Sequence, residues 1–198
     1  METPTPTVRR VQPADAARMR ALRLEMLADS PLAFLERLAD AAARPHHEYA
    51  ERIARASTGS LLAQFVAEQA AEPAAGPAAG RSGESGRSGS SGRSERRAGG
   101  RFVAHAGAHV AADDPATTVL FAIYVSPAWR GQELLAGLID AVADWSRAAG
   151  RPELLLEVVV GNDRAVRAYQ RLGFVDTGVR LPHPTLPTLS ELQMRRPA

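Results

Sequence analysis

Apolar residues recur along the chain at two spacings, one typical of helices and the other of strands. Helical spacing begins after Gln12-Pro13-Ala14-Asp15, where a proline suits the first turn of a helix. It continues in a second stretch that Pro45 divides into two shorter pieces. Residues 131–149 predict a long amphipathic helix, and residues 162–172 predict a shorter one.

Runs of apolar and β-branched residues between these helices predict strands. The predicted strands cover residues 6–11, 60–68, 101–105, 117–126, 154–160, 174–180 and 189–194. The elements therefore follow one another as a strand, helices, three strands, a helix, a strand, a helix and two strands. This order predicts an α/β fold with a mixed central sheet and helices on both faces.

One long segment, at about residues 70–100, interrupts this pattern. It consists largely of Ala, Gly, Ser, Pro, Arg and Glu and has no bulky apolar residue. Such a segment cannot bury enough apolar surface to offset the entropy of ordering it. Because neither flank is long enough to fold alone, we expect a disordered insertion within a single domain that spans residues 1–198.

Composition narrows the possible chemistry. The chain of 198 residues has no cysteine, which excludes disulfides, thiolate metal sites and a cysteine nucleophile. All 24 basic residues are arginine, so a lysine Schiff base is also excluded. No signal peptide or long apolar run is evident, and we expect a cytoplasmic protein with no membrane partner. His105 and His109 lack the spacing of metal ligands, and we expect no metal.

Two motifs carry the candidate chemistry. Val125-Ser126-Pro127-Ala128-Trp129-Arg130-Gly131-Gln132 leads from a strand into the long helix, and such a turn exposes unpaired amides that suit a pyrophosphate. The second motif is Asn162-Asp163-Arg164-Ala165, followed by Tyr169 and then by Leu172-Gly173-Phe174. In order and separation the two motifs resemble the GCN5-related N-acetyltransferase (GNAT) family. The resemblance covers nearly the whole chain outside the insertion.

The resemblance implies a mostly antiparallel sheet in which the strand ending at Val125 splays from the next one to admit an acyl-CoA. It implies transfer of acetyl from acetyl-CoA to a primary amine of a small molecule or peptide, by direct attack in a ternary complex. The cofactor-binding residues implied by it are Ile123, Val125, Arg130, Gly131, Gln132, Glu133, Leu134, Leu135, Asn162, Ala165 and Tyr169.

The same resemblance suggests catalytic roles. Tyr169 would be the general acid for the departing thiolate, and the Val125 amide, at a strand bulge, would donate to the oxyanion. Glu157, a lone charge in an apolar strand, is a candidate base with a raised pKa; alternatively it faces solvent or pairs with an arginine. The first helices and the loop Leu181–Pro187 would form the acceptor end, although this loop can equally be a simple connection.

Two positions depart from the family pattern. Glu133 and Leu135 stand where the family has a glycine and a glycine or alanine. A carboxylate and a branched side chain disfavour CoA at that turn, unless Glu133 rotates outward. The alternative hypothesis is therefore a degenerate, catalytically weak member that binds a ligand or partner.

The arginines of the insertion raise a third possibility, nucleic-acid binding. They are dilute, are mixed with acidic residues and have no aromatic partners for bases, so we expect no nucleic-acid partner. A homodimer is compatible with the sequence.

Overall fold

The computed structural model of the chain describes residues 4–71 and 100–198. The predicted insertion at about 70–100 therefore lies almost entirely outside the described residues, and both its disorder and the single domain remain predictions.

A seven-stranded sheet forms the centre of the described residues. Its strands are β1 (Thr7–Arg10), β2 (Leu62–Gln69), β3 (Arg101–Val110), β4 (Thr117–Val125), β5 (Glu153–Val159), β6 (Val175–Pro182) and β7 (Ser190–Pro197). They lie in the order β1-β2-β3-β4-β5-β7-β6. Only β4 and β5 pair in parallel, and the other neighbouring strands pair antiparallel. The predicted mixed, mostly antiparallel sheet is confirmed.

Five α-helices connect these strands within the described residues. They are α1 (Ala16–Asp29), α2 (Leu38–Ala43), α3 (His46–Ser57), α4 (Leu134–Ala148) and α5 (Asp163–Arg171). Pro45 separates α2 from α3 as predicted, because proline lacks the N–H that a helix interior needs. The helix predicted at 131–149 begins three residues later, so residues 131–133 belong to the turn that precedes it.

Two apolar clusters cover the two faces of the sheet. Side chains of α4 and α5 pack with Phe65 and Ala67 of β2, whereas side chains of α1 and α3 pack with Val66 between them. Since successive strand residues point to opposite faces, α4 and α5 lie on one face and α1 and α3 on the other. Each side chain of the sheet can thus be assigned to the α4 face or the α1 face.

No helix of the described residues is both long and apolar enough to cross a lipid bilayer.

Candidate functional site

The parallel strands β4 and β5 part midway along their length. Their Cα pairing runs from Thr117 with Glu153 to Leu120 with Leu156 and then ends, although β4 continues to Val125 and β5 to Val159. The backbone groups beyond Leu120 therefore face a gap instead of a neighbouring strand. The splayed strands expected from the sequence are present at this point.

A cavity of about 390 Å³ occupies the gap. Tyr169 and Leu135 line it from the α4 face, and Phe34 and Glu157 line it from the α1 face. The cavity therefore opens to both faces of the sheet, so two ligands could approach one another from opposite sides. The sequence-predicted residues that line it are Ile123, Val125, Arg130, Gly131, Gln132, Leu135, Glu157, Asn162, Ala165 and Tyr169.

The turn before α4 lies at one end of the cavity. The first α-helical hydrogen bond of α4 joins the Gly137 N–H to the Glu133 carbonyl at 3.0 Å, so the N–H groups of residues 134–136 have no partner within the helix. These N–H groups, at the positive end of the helix dipole, suit an anionic ligand.

Two residues predicted to bind the cofactor at this turn do not direct their side chains into the cavity. Leu134 is buried in the apolar cluster of the α4 face, and Glu133 is an exposed N-cap residue whose side chain does not line the cavity. Because the side chain of Glu133 points outward, its carboxylate avoids the anionic ligand expected there. Leu135, by contrast, is half-buried and lines the cavity, so it is the departure from the family pattern that narrows the site.

Arg130 lies at the mouth of the turn, as expected, but its guanidinium is already paired. Its Nε donates to the Val125 carbonyl at 3.0 Å, and another of its nitrogens forms a salt bridge with Asp29 at the end of α1. Burial acts to raise the pKa of Asp29, but hydrogen bonds from Ser30 and Arg130 and the charges of Arg130 and Arg164 lower it overall. Arg164 of α5, which was not predicted from the sequence, lines the cavity. Arg171 lines the cavity as well.

Helix α5 supplies the next wall of the cavity. The Asn162 side chain accepts a hydrogen bond from the Ala165 N–H at 3.3 Å and caps the helix. Tyr169 is 8% exposed, and burial raises the pKa of its hydroxyl. Tyr169 is therefore protonated at neutral pH, as a proton donor must be.

The bulge of β4 lies earlier in the strand than expected. The register with β3 shifts between His105 and Gly107, opposite Ala122, which has a φ of 50°. The prediction of this bulge at Val125 is therefore wrong by three residues. A positive φ is unfavourable for alanine, and the Ala122 carbonyl is held by a hydrogen bond from Nδ1 of His105 at 2.7 Å.

Val125 nevertheless faces the gap through its backbone. The next residue, Ser126, donates its N–H to the Val103 carbonyl of β3 at 2.8 Å. Because alternate residues of a strand direct their backbone groups to opposite edges, the Val125 N–H points away from β3 and toward β5. It can therefore donate to a ligand in the cavity.

Two carboxylates line the α1 face of the cavity. Glu157 is exposed, and among the described residues it forms no salt bridge with an arginine. Glu191 of β7, which the sequence analysis did not select, is half-buried; its pKa is raised by burial and by the charge of Glu157. No sequence motif marks Glu191, because its position depends on the pairing of β7 with β5.

Of the two segments predicted to form the acceptor side of the site, only the one near the first helices lines the cavity. Ser30, Ala33 and Phe34, between α1 and α2, line the cavity, whereas residues 181–187 do not. His183 from that loop is buried, and its Nδ1 accepts a hydrogen bond from the Leu186 N–H at 3.1 Å. Among the described residues, no group of three or more histidine and acidic side chains could hold a metal ion.

A comparison with protein families matches residues 84–174 to the acetyltransferase (GNAT) family. This range contains β4, the turn before α4, β5 and α5, which are the elements that form the cavity. Over these residues the chain is similar to the GNAT acetyltransferases. Among curated protein sequences, none matches this chain significantly.

Solved structures of GNAT proteins share the fold over nearly the entire chain. A GNAT acetyltransferase from Streptococcus pneumoniae is 16% identical, with a TM-score of 0.68 over 96% of this chain and 98% of its own. The Salmonella typhimurium protein yncA, solved with its cofactor acetyl-CoA, is 18% identical, with a TM-score of 0.62 over 97% and 93%. A GCN5-related N-acetyltransferase from Kribbella flavida is 18% identical, with a TM-score of 0.64 over 97% of both chains. At these identities the likeness establishes the fold alone.

Proposed function

We propose that this protein is a GNAT acetyltransferase that transfers an acetyl group from acetyl-CoA to a primary amine of a small molecule or peptide, by direct attack in a ternary complex. The observation that carries the proposal is the cavity between β4 and β5, which is open to both faces of the sheet. An acyl donor on the α4 face and an amine on the α1 face could meet there without a covalent enzyme intermediate.

The residues on the α4 face suit the pantetheine arm of acetyl-CoA better than they suit its phosphates. Beyond Leu120, the free edge of β4 suits the amide groups of a pantetheine arm, since unpaired backbone groups need partners. The N–H groups at the start of α4 and the guanidinium of Arg164 suit the phosphates. Leu135 and the Arg130–Asp29 salt bridge make the phosphate end less favourable.

The chemical step assigns one role to each of three groups. Glu191, rather than the more exposed Glu157, accepts the proton that the amine loses, because a raised pKa makes it the stronger base. The nitrogen bonds to the acetyl carbon, and the Val125 N–H donates to the oxygen on which charge develops. The carbon–sulfur bond breaks, and Tyr169 donates a proton to sulfur. Solvent then deprotonates Glu191 and reprotonates Tyr169.

The alternative function is that of a weak or inactive member that binds a ligand or partner. The observation in its favour is at the phosphate end, where Leu135 occupies part of the cavity wall and Asp29 already pairs with Arg130.

Calorimetric titration with acetyl-CoA, followed by a thiol-release assay with a panel of amines, tests the proposal. We expect binding by the natural protein and amine-dependent release of CoA thiol. The variant Glu133→Gly should also bind. Failure of both proteins to bind would contradict the proposal. Binding without thiol release for any amine would favour the alternative.

A further inference from the structure

Glu157 and Glu191 are neighbours on adjacent strands. The Cα partner of Glu157 is Gln193, and that of Glu191 is Val159, so the two carboxylates are diagonal neighbours across β5 and β7. Diagonal neighbours lie roughly 7–8 Å apart in an antiparallel pair, within reach of one extended small molecule.

Both side chains project from the α1 face. Leu156, Val158 and Leu192 pack in the apolar cluster on the α4 face, and the glutamates alternate with them along β5 and β7. The two carboxylates therefore face the side of the cavity opposite Tyr169, where the acceptor would enter under the proposed function.

No described arginine forms a salt bridge with either carboxylate of this pair. By contrast, Asp29 at the end of α1 pairs with Arg130, and Glu36, which lines a second cavity, pairs with Arg23 and Arg44. Among the described residues, neither Glu157 nor Glu191 forms a salt bridge. Two like charges this close disfavour each other unless a cation lies between or beside them.

The two carboxylates differ in burial, which separates their roles. Burial raises the pKa of Glu191, and the charge of Glu157 adds to this effect, while the charge of His183 opposes it. Glu157 is exposed. The half-buried carboxylate suits an exchange of protons with the reacting nitrogen, whereas the exposed one is accessible to a cationic group of a ligand.

We propose that Glu157 determines specificity by binding a second cationic group of the acceptor, so that the preferred substrate carries two amino groups a few bonds apart. This inference rests on the proposed function. The reacting nitrogen must be neutral when it attacks, so it cannot balance a fixed negative charge throughout the reaction. A second ammonium group that stays protonated can do so, and it would place the reactive nitrogen beside Glu191.

A pairwise comparison of acceptors tests this role. Acetylation is measured for linear diamines, from propane diamine to pentane diamine, and for the monoamine of the same chain length. For the natural protein we expect the KM of the best diamine to be at least about tenfold below that of its monoamine, which corresponds to about 1.4 kcal/mol. Glu157→Gln should reduce this ratio to about twofold or less.

Glu153→Gln is the matched control, because it removes the same charge from the same face of β5 at a distance of four residues. It should retain the tenfold ratio. The same comparison between dipeptides with an amino-terminal lysine or norleucine distinguishes a free diamine from a basic peptide as the source of the second charge. Two outcomes would overturn the inference. One is that, in both series, the acceptor with a second amino group has the same KM as the acceptor without it. The other is that Glu157→Gln and Glu153→Gln reduce the KM ratio equally.

A binding measurement separates this inference from the proposed function. A diamine is titrated calorimetrically into the protein saturated with CoA, which requires no acetyl transfer. Weaker diamine binding by Glu157→Gln than by Glu153→Gln supports the inference even if no acetylation occurs. Acetylation of amines without any preference for a second charge leaves the proposed function in place and contradicts the inference. Absence of diamine binding to the natural protein also contradicts it.

Discussion

The Nδ1 atom of His105 lies 2.7 Å from the carbonyl oxygen of Ala122, the residue with positive φ at the bulge of β4. The imidazole is 3% exposed, and burial lowers its pKa from 6.5 to about 4. His105 is therefore neutral at physiological pH, and its Nδ1 proton serves the hydrogen bond. His105, which belongs to no recognised sequence motif, thus holds the backbone of β4 at the edge of the cavity.

Stability should fall on acidification because of His105. Between its unfolded pKa of 6.5 and its folded pKa of about 4, the unfolded chain binds a proton that the folded chain does not. Stability from this group is thus fully present above pH 6.5 and is lost as pH falls toward 4. Between about pH 7 and about pH 5 the loss should amount to about 2 kcal/mol.

Urea unfolding of the natural protein and of His105→Gln at the two pH values measures this loss. Glutamine can donate to the Ala122 carbonyl but does not titrate. The variant should lose about 2 kcal/mol less than the natural protein on acidification. The same pH dependence in both proteins would assign the effect to other groups.

Leu135 should limit acetyl-CoA binding more than Glu133 does. Leu135 lines the cavity at the first turn of α4, whereas the side chain of Glu133 is exposed and does not line it. We expect Leu135→Ala to tighten binding about tenfold and Glu133→Gly about twofold, as measured by calorimetry. A larger gain from Glu133→Gly would show that charge, and not side-chain bulk, weakens the site.

Removal of the Asp29 charge should also tighten acetyl-CoA binding. This carboxylate pairs with Arg130 and acts on Arg164, so it offsets two positive charges at the phosphate end of the cavity. Asp29→Asn should lower the dissociation constant about threefold at low salt, and the gain should shrink as ionic strength rises. Asp144→Asn, in the exposed Asp144–Arg147 pair of α4, is the control and should change binding little. Unchanged or weaker binding by Asp29→Asn would contradict the idea that Asp29 competes with the phosphates.

Tyr169 should act in the chemical step and not in binding. Removal of a general acid typically costs about a hundredfold or more in rate. We expect Tyr169→Phe to lower kcat by about that factor while KM changes less than about twofold. Tyr49→Phe is the control, because its hydroxyl donates to the Ala41 carbonyl at 3.1 Å outside this cavity. A loss of kcat in Tyr124→Phe instead would transfer the role to Tyr124, which also lines the cavity.

The local pattern of apolar and polar residues was sufficient to predict the helices and strands of this chain. The apolar periodicity predicted the strands and helices, and Pro45 correctly divided α2 from α3, because such signals depend on a few neighbouring residues. The turn before α4 and the segment from Asn162 to Tyr169 could also be predicted from the sequence, since each is formed by consecutive residues. Sequence by itself therefore determined the fold class and the two motifs that supply part of the cavity wall.

The tertiary structure alone decided which side chains meet across that wall. Glu191 lies beside Glu157 only because β7 pairs with β5 in one register, and a slip of one residue would turn Glu191 to the other face. The carbonyl of Ala122 at the bulge is bonded to His105, 17 positions away in sequence, and Arg130 is paired because α1 ends beside it. These contacts join residues that are distant in the chain, and no local pattern of hydrophobic and polar positions encodes them.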